Sequence, residues 1–272
     1  MTLVPRTLPV TLPDLSEWAD HAIQGKATVP AALLLDLLIK TAGEHESLIS
    51  ADGPLVMRDA VFSRFLPADE IERCTFDIAL EELATEGAGT RAILSSRIGL
   101  AGGMRRTRMH AAVTLGGTAK ASALPSLTTN FMISAERAYS ELIPFGPRYR
   151  HLRGDIHLGQ EGATARVVSP EPAFPDPSRA GSPHLFDGAM HLACLWGQRY
   201  AGVVAYPTGF SSRVIASPVA HGQRRCVVTP KAMGESLLAF DLWLTDDNHR
   251  VCDSITDLTM LPLANGRKPA AP

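Results

Sequence analysis

The chain has 272 residues, 45% of them hydrophobic and 20% charged, a balance that excludes intrinsic disorder and allows one large core or two of ordinary size. Basic and acidic residues number 26 and 28, a formal net charge of −2, which excludes the basic footprint of a nucleic-acid binder. The four cysteines, Cys74, Cys194, Cys226 and Cys252, form neither a CxxC pair nor a Cys/His cluster, so they read as reduced, buried thiols and no metal site is predicted.

In chain order, prolines in MTLVPRTLPVTLPDL interrupt the apolar run that a signal peptide needs, and no later run reaches the ~20 residues of a membrane helix. A soluble, cytoplasmic protein with no membrane partner is expected. DHAIQGKATVP, Asp20 to Pro30, then sets His21 four residues ahead of Gly25 and nine ahead of Pro30. It leads into PAALLLDLLIKTAGEH (Pro30 to His45), a helix-length segment apolar nearly all round, with proline suited to the first turn. Such a helix must be enclosed, and a curved sheet is the simplest enclosure. RCTFDIALEEL (Arg73 to Leu83), TRAILSSRIGL (Thr90 to Leu100) and RMHAAVTLGG (Arg108 to Gly117) supply alternating or β-branched runs that read as strands.

A small, polar stretch, Gly116 to Thr129, reads as a linker and places a boundary near Ala123. Ser169 to Pro183, with five prolines, is predicted to be a loop leading into PHLFDGAMHLACLWGQRYA (Pro183 to Ala201), a second nearly all-apolar helix. Strands are predicted over Ser212 to Ala220, Arg224 to Ala232 and Glu235 to Leu263, the last folding back at Asp246-Asp247-Asn248. The organisation is therefore α+β, with one buried helix and several antiparallel strands occurring twice, in units 1–123 and 124–265, and a flexible tail over 266–272. No literal repeat joins the halves; only the order of elements recurs.

Two constellations carry candidate chemistry. His21 stands just before a helix, where it serves either as a structural loop histidine or as a titratable group, with an unperturbed pKa near ~6.5, at the mouth of an apolar cavity. Gly25 reads as a special backbone conformation or a close approach by a ligand. Asp187 and His191 share a helix face, so the imidazole can orient the carboxylate; equally, Asp187 can cap or charge the first helical turn. Apolar neighbours Phe186, Ala189 and Met190 predict desolvation that raises the Asp187 pKa and keeps it protonated.

HAIQGKATVP reads HxxxGxxxxP, DGAMH reads DxxxQ/H and PFGPRYRHL is a variant of YGPxF. In this order and at these spacings, from about Trp18 to about Leu263, the chain resembles the dehydratase domains of polyketide synthases. YPTGFSSRVI (Tyr206 to Ile215) falls where that family carries an LPxS-type segment, matched at Pro207. The resemblance implies a double hot-dog fold, two helix-wrapped antiparallel sheets in one chain. It implies His21 as the base at Cα of a 3-hydroxyacyl thioester, Asp187 as the acid at the 3-hydroxyl and His191 as its positioner. Gly25, Pro30, Phe145, Gly146, Pro147, Arg148 and Pro207 are the implied substrate-binding residues. A weakly acidic α-proton and a poor leaving group together require both a base and an acid. A backbone N–H between Gly25 and Ala31 is the expected donor to the thioester carbonyl.

The chain departs from the family at Phe145, where tyrosine is usual, at Ala31 for glycine and at Asp36 for glutamate. The segment before His21 is short, so the first sheet either lacks a strand or draws it from TLVPRTLPVTL. The implied partners are an acyl carrier protein, its phosphopantetheine arm and other synthase components; relatives often form homodimers. Met104 to His110 and Arg148 to Arg153 are candidate docking runs, with Arg148 and Arg150 facing the phosphate. No bound cofactor is expected, for lack of any metal-ligand or nucleotide motif. Alternative outcomes on this scaffold are a double-bond shift, pyran-ring or aldol cyclisation, or a silent acyl-binding module.

Overall fold

The structure, a computed structural model, describes residues 5–12, 18–45, 53–83, 89–99, 104–143, 145–170, 179–234 and 236–263. The tail assigned to 266–272 and most of the proline-rich loop lie outside these residues. Chain order runs through β1 (Arg6–Val10), β2 (Ala22–Ile23), β3 (Lys26–Ala27), α1 (Ala31–His45), β4 (Leu55–Phe62), α2 (Ala68–Ile71), β5 (Thr75–Leu83), β6 (Gly89–Gly99) and β7 (Arg105–Leu115). After a stretch without helix or strand come β8 (Phe131–Ser134), α3 (Ala135–Glu141), β9 (Leu152–Gly159), β10 (Gly162–Ser169) and α4 (Pro183–Trp196). β11 (Ala205–Ile215), β12 (Gly222–Met233), β13 (Leu238–Thr245) and β14 (Val251–Pro262) complete the order.

Twelve strands form one antiparallel sheet in the order β1-β5-β6-β7-β4-β11-β14-β13-β12-β10-β9-β8. The first half wraps α1 and the second wraps α4, the two helices touch, and β4 pairs with β11 where the halves meet. This is the double hot-dog arrangement. It follows from the composition of the helices: Leu33, Leu34, Leu35, Leu38 and Ile39 are all buried, and each such side chain contributes about 1.5–3 kcal/mol when removed from water. Asp36, buried within that apolar helix, is paired with Lys40 one turn on at 3.1 Å.

Several elements differ from the sequence reading. β1 pairs with β5, so the N-terminal segment does supply the first sheet's extra strand. β4 was not predicted; its alternation is broken at Asp59, whose φ of 51° marks the bulge where pairing with β7 shifts register. β8, β9 and β10 lie ahead of α4, where no strand was expected, and α4 ends at Trp196 before a single π-helical turn, Gly197–Ala201. The final hairpin turns as expected, with Asp246 Oδ1 accepting the Asn248 and Arg250 N–H groups at 2.9 Å. α4 is tethered from below: Arg213 on β11 lies 4.3 Å from the Phe186 ring centroid and forms a buried ion pair with Asp253 on β14 at 2.6 Å.

Candidate active site

The segment ahead of α1 folds into a tight hairpin that fixes His21. β2 and β3 pair across Gln24 and Gly25, whose φ values of 52° and 79° are the two left-handed residues of a type I′ turn. A side chain at Gly25 would meet no protein atom within 4 Å, so the left-handed backbone of the turn is what favours glycine within the protein itself. The hairpin is tied to the loop at both ends, the His21 N–H donating to Trp18 O and the Thr28 N–H donating to His21 O, each at 2.9 Å. Across the turn, His21 Nδ1 donates to Thr28 O at 2.7 Å. That bond assigns the proton to Nδ1 and leaves Nε2 with its lone pair, the form a general base requires.

Asp187 sits one turn into α4. The helix cap is Ser182, which accepts the His184 N–H at 3.2 Å, so Asp187 does not serve as the cap. Its carboxyl instead lies among imidazoles: His191 Nε2 is 3.1 Å and His151 Nε2 3.4 Å from Oδ2. Neither N–H points along the line to the oxygen, and Oδ2 has no well-aligned hydrogen bond among the described residues. Buried polar atoms left this way cluster at functional sites. Tyr139 on α3 orders the far side of His191, its O–H lying 3.0 Å from Nδ1, while its oxygen accepts the Leu152 N–H at 2.9 Å.

His21, Asp187 and His191 line one apolar pocket of about 150 Å³ together with Phe145, Pro207, Leu34, Met190 and Met260. Phe145 packs between the two catalytic candidates, stacked on His21 at 4.5 Å and against His191 at 4.8 Å. The predicted set therefore divides. Gly25, Pro30, Gly146, Pro147 and Arg148 do not line this pocket. Pro30 starts α1, whose Ala31 and Leu34 reach the pocket wall.

The Phe145-Gly146-Pro147 turn acts on the residue before His21. Asp20 O accepts the Gly146 N–H at 2.7 Å and Asp20 Oδ2 accepts the Arg148 N–H at 2.9 Å. A Cβ on Gly146 would fall 2.3 Å from the Asp20 carboxyl, so only glycine permits this clasp. Arg150 is not among the residues lining the pocket, and its Nε donates to Phe145 O at 3.2 Å. The cation that does line the pocket is Arg64, in the loop after β4, which sequence reasoning missed. Tyr139, His151 and His184 were also missed.

The electrostatics correct one expectation. Burial pushes the Asp187 carboxyl up, but His191, His151 and His21 pull it down more strongly, and it ends well below the usual carboxylate range. His21 is lowered by burial, against the pull of Asp187, and so is neutral at pH 7. His151 is also lowered, and His184 is pulled down to about 4, both chiefly by burial. Because these imidazoles are neutral in the fold and free to protonate near ~6.5 when unfolded, the unfolded chain binds more protons below that pH. Stability is therefore full above ~6.5 and is lost as pH falls toward 4, by about 2 kcal/mol at pH 5 from His184 alone. Asp187 offsets none of this, since its own contribution persists down to the carboxylate range. Urea midpoints at pH 7.5 and pH 5 check the drop; equal midpoints would contradict the buried, neutral imidazoles.

A double hot-dog whose halves contribute an imidazole and a carboxyl group to one apolar pocket is an acid–base site. The family model described as "Polyketide synthase dehydratase N-terminal domain" matches residues 119–270, more than half of the 272-residue chain, a span that holds Asp187 and His191 but not His21. Among solved structures, the dehydratase domain from the CurK module of the curacin polyketide synthase is similar with a TM-score of 0.74 at 14% identity, over 95% of this chain and 91% of that one. The corresponding CurJ domain gives 0.69 at 15% identity, over 94% and 90%. GphF dehydratase 1 gives 0.71 at 16% identity, over 95% and 93%. At such identities these similarities show the fold. A search of curated proteins finds no match. The chain belongs to the polyketide synthase dehydratase family, and its reaction class is dehydration, a lyase reaction in polyketide biosynthesis. No helix among the described residues is long and apolar enough to cross a membrane.

Proposed function

We propose that this protein removes water from a 3-hydroxyacyl thioester delivered on the phosphopantetheine arm of an acyl carrier protein. The observation that carries the reading is the convergence of His21 and Asp187 on one buried apolar pocket. His21 Nε2 takes the proton from Cα, the C–H electrons form the Cα=Cβ bond, and the Cβ–O bond breaks as the departing hydroxyl takes a proton from Asp187, a carboxylate at rest that must gain this proton before the step. Water and the enoyl thioester leave. His191 aims the carboxyl group, and Phe145 spaces the two working side chains. The start of α1, at Ala31, offers N–H groups to the thioester carbonyl as enolate character develops. Arg64, exposed yet lining the pocket, is placed to meet the phosphate of the arm.

One relative supports the assignment of roles: in CurK dehydratase, an Asp-to-Asn variant and a His-to-Phe variant are each inactive. The test is to incubate the protein with 3-hydroxyacyl chains of several lengths on a carrier protein, or on pantetheine, and follow the acyl mass. Loss of one water with appearance of an enoyl thioester is the expected result. An unchanged mass across all lengths would leave an acyl-binding module, and loss of water with ring formation would make the protein a cyclase.

A further inference from the structure

We propose that Asp20 is a positioning residue: from the first half of the fold it caps the turn of the second half that carries Phe145 and Tyr149, and so holds the two rings that clamp its own neighbour, His21. The effect on turnover rests on the dehydratase reading above; the clasp itself does not. Asp20 is not among the residues lining the pocket, so it acts through others.

The peptide unit between Asp20 and His21 is held at its two ends by different halves of the chain. Its N–H, from His21, donates to Trp18 O at 2.9 Å and closes a turn anchored by the fully buried Trp18. Its carbonyl, on Asp20, accepts the Gly146 N–H at 2.7 Å. A planar peptide fixed at both N–H and C=O cannot rotate without breaking one of the two bonds. The backbone entering His21 is therefore set by the second half as well as by the first.

The Asp20 side chain supplies the cap. Pro147, Arg148 and Tyr149 form a single 3₁₀ turn that begins after Gly146. The first turn of a helix leaves N–H groups without internal partners, and the side chain of the residue ahead of it ordinarily meets them. Gly146 has no side chain to offer and Pro147 has no N–H to satisfy, so the first donor in need is that of Arg148. The Asp20 carboxyl group takes it, Oδ2 accepting the Arg148 N–H at 2.9 Å across 128 residues of sequence. The glycine that cannot cap the turn also makes room for the group that does.

What the cap holds is the clamp on the base. Phe145, just ahead of the turn, stacks on the His21 ring at 25° with centroids 4.5 Å apart, and Tyr149, its last residue, packs on the same ring at 5.1 Å. Both rings also reach the acid's surroundings, Phe145 lying against His191 at 4.8 Å and Tyr149 against His151 at 5.7 Å, beside the Asp187 carboxyl group. The Tyr149 N–H bond to Gly146 O at 3.0 Å and the Arg150 Nε bond to Phe145 O at 3.2 Å shape the turn internally, but they do not tie it to the first half. Asp20 does.

Three substitutions separate an acceptor from a charge. Asp20→Asn keeps an acceptor oxygen at the same reach, Asp20→Glu keeps the charge but carries its oxygens one carbon further, and Asp20→Ala removes both. Because small misplacements of a reacting group are costly, kcat should fall about tenfold in Asp20→Ala and Asp20→Glu and stay within about threefold of wild type in Asp20→Asn, with KM within about twofold throughout. Wild-type turnover in Asp20→Ala would overturn the proposal. So would a loss in Asp20→Asn as large as in Asp20→Ala, which would assign the effect to charge. Histidine ring-proton resonances give a readout that needs no turnover. At pH 7.5, where the His21 ring is neutral, the resonances missing in His21→Ala should lie upfield in the wild type through the Phe145 ring current. They should stay there in Asp20→Asn and move downfield in Asp20→Ala. A position unmoved by Asp20→Ala would leave the clamp independent of Asp20 and overturn the proposal. If the resonances move as expected but the wild type dehydrates no thioester, the clasp stands and the dehydratase reading fails.

Discussion

His21→Ala is expected to lower kcat by about 10³-fold, within the 10²–10⁴ that a positioned general base supplies, while leaving KM and the fold nearly unchanged. In free energy this is about 4 kcal/mol of transition-state stabilisation. The size follows from how completely the imidazole is prepared. Its Nδ1–H is fixed on Thr28 O, so the tautomer with a basic Nε2 is already in place. The ring is clamped by Phe145 and Tyr149, with centroids at 4.5 and 5.1 Å, so little rotational freedom remains to be lost when substrate arrives. Burial keeps it neutral at pH 7. The methyl of alanine removes the base but keeps the hairpin, because the bonds that hold residues 18–28 are backbone bonds. Following enoyl absorbance against pH separates this from a packing effect. Wild-type kcat/KM should rise with pH through a pKa below ~6.5, and the variant should lose that limb. A variant turning over at the full rate would remove His21 from the chemistry.

The residues that do this work were legible in the sequence only where the determinants are local. His21 with Gly25 encodes a hairpin whose turn needs a left-handed residue, and Asp187 with His191 encodes one helix face; both patterns fit within ten residues. α1 and α4 declare themselves by being apolar on nearly every side. Tyr139 and His151 carry no comparable signal, because they reach His191 and Asp187 through the packing of α3 and the entry to β9 on α4, where His184 of α4 also meets His151, and nothing in RYRHLR separates a buried histidine from a basic surface run. The Phe145-Gly146-Pro147 turn was legible as a motif, but not its use: its backbone grips Asp20, and the arginines beside it turn outward or back onto the turn. The same limit explains the error over Asp187. Apolar neighbours along the helix predict a raised pKa, but two imidazoles arriving from the sequence on either side reverse the balance.

Asp187→Asn should reduce kcat by about 10³–10⁴-fold, the largest loss of any single substitution in the pocket. The amide has nearly the same shape and keeps its place beside His191 Nε2, so the wall of the pocket and the binding of the acyl chain are retained and KM moves little. What is lost is the carboxyl group assigned to hand a proton to the 3-hydroxyl, without which Cβ would have to expel hydroxide into an apolar cavity, where an unpaired charge is costly. The substitution also strips the neighbouring imidazoles of the charge that supports their protonated forms. His21 and His151 are already below the ordinary imidazole value through burial, and each is raised by Asp187. In the variant both should titrate at still lower pH. Two measurements on the same protein thus have opposite signs of consequence: the base becomes more completely neutral at pH 7, yet turnover collapses because the acid is gone. Retention of turnover in Asp187→Asn would show that the proton reaches the leaving oxygen by a route that bypasses this carboxyl group, and the pairing of the two halves of the fold would then serve binding alone.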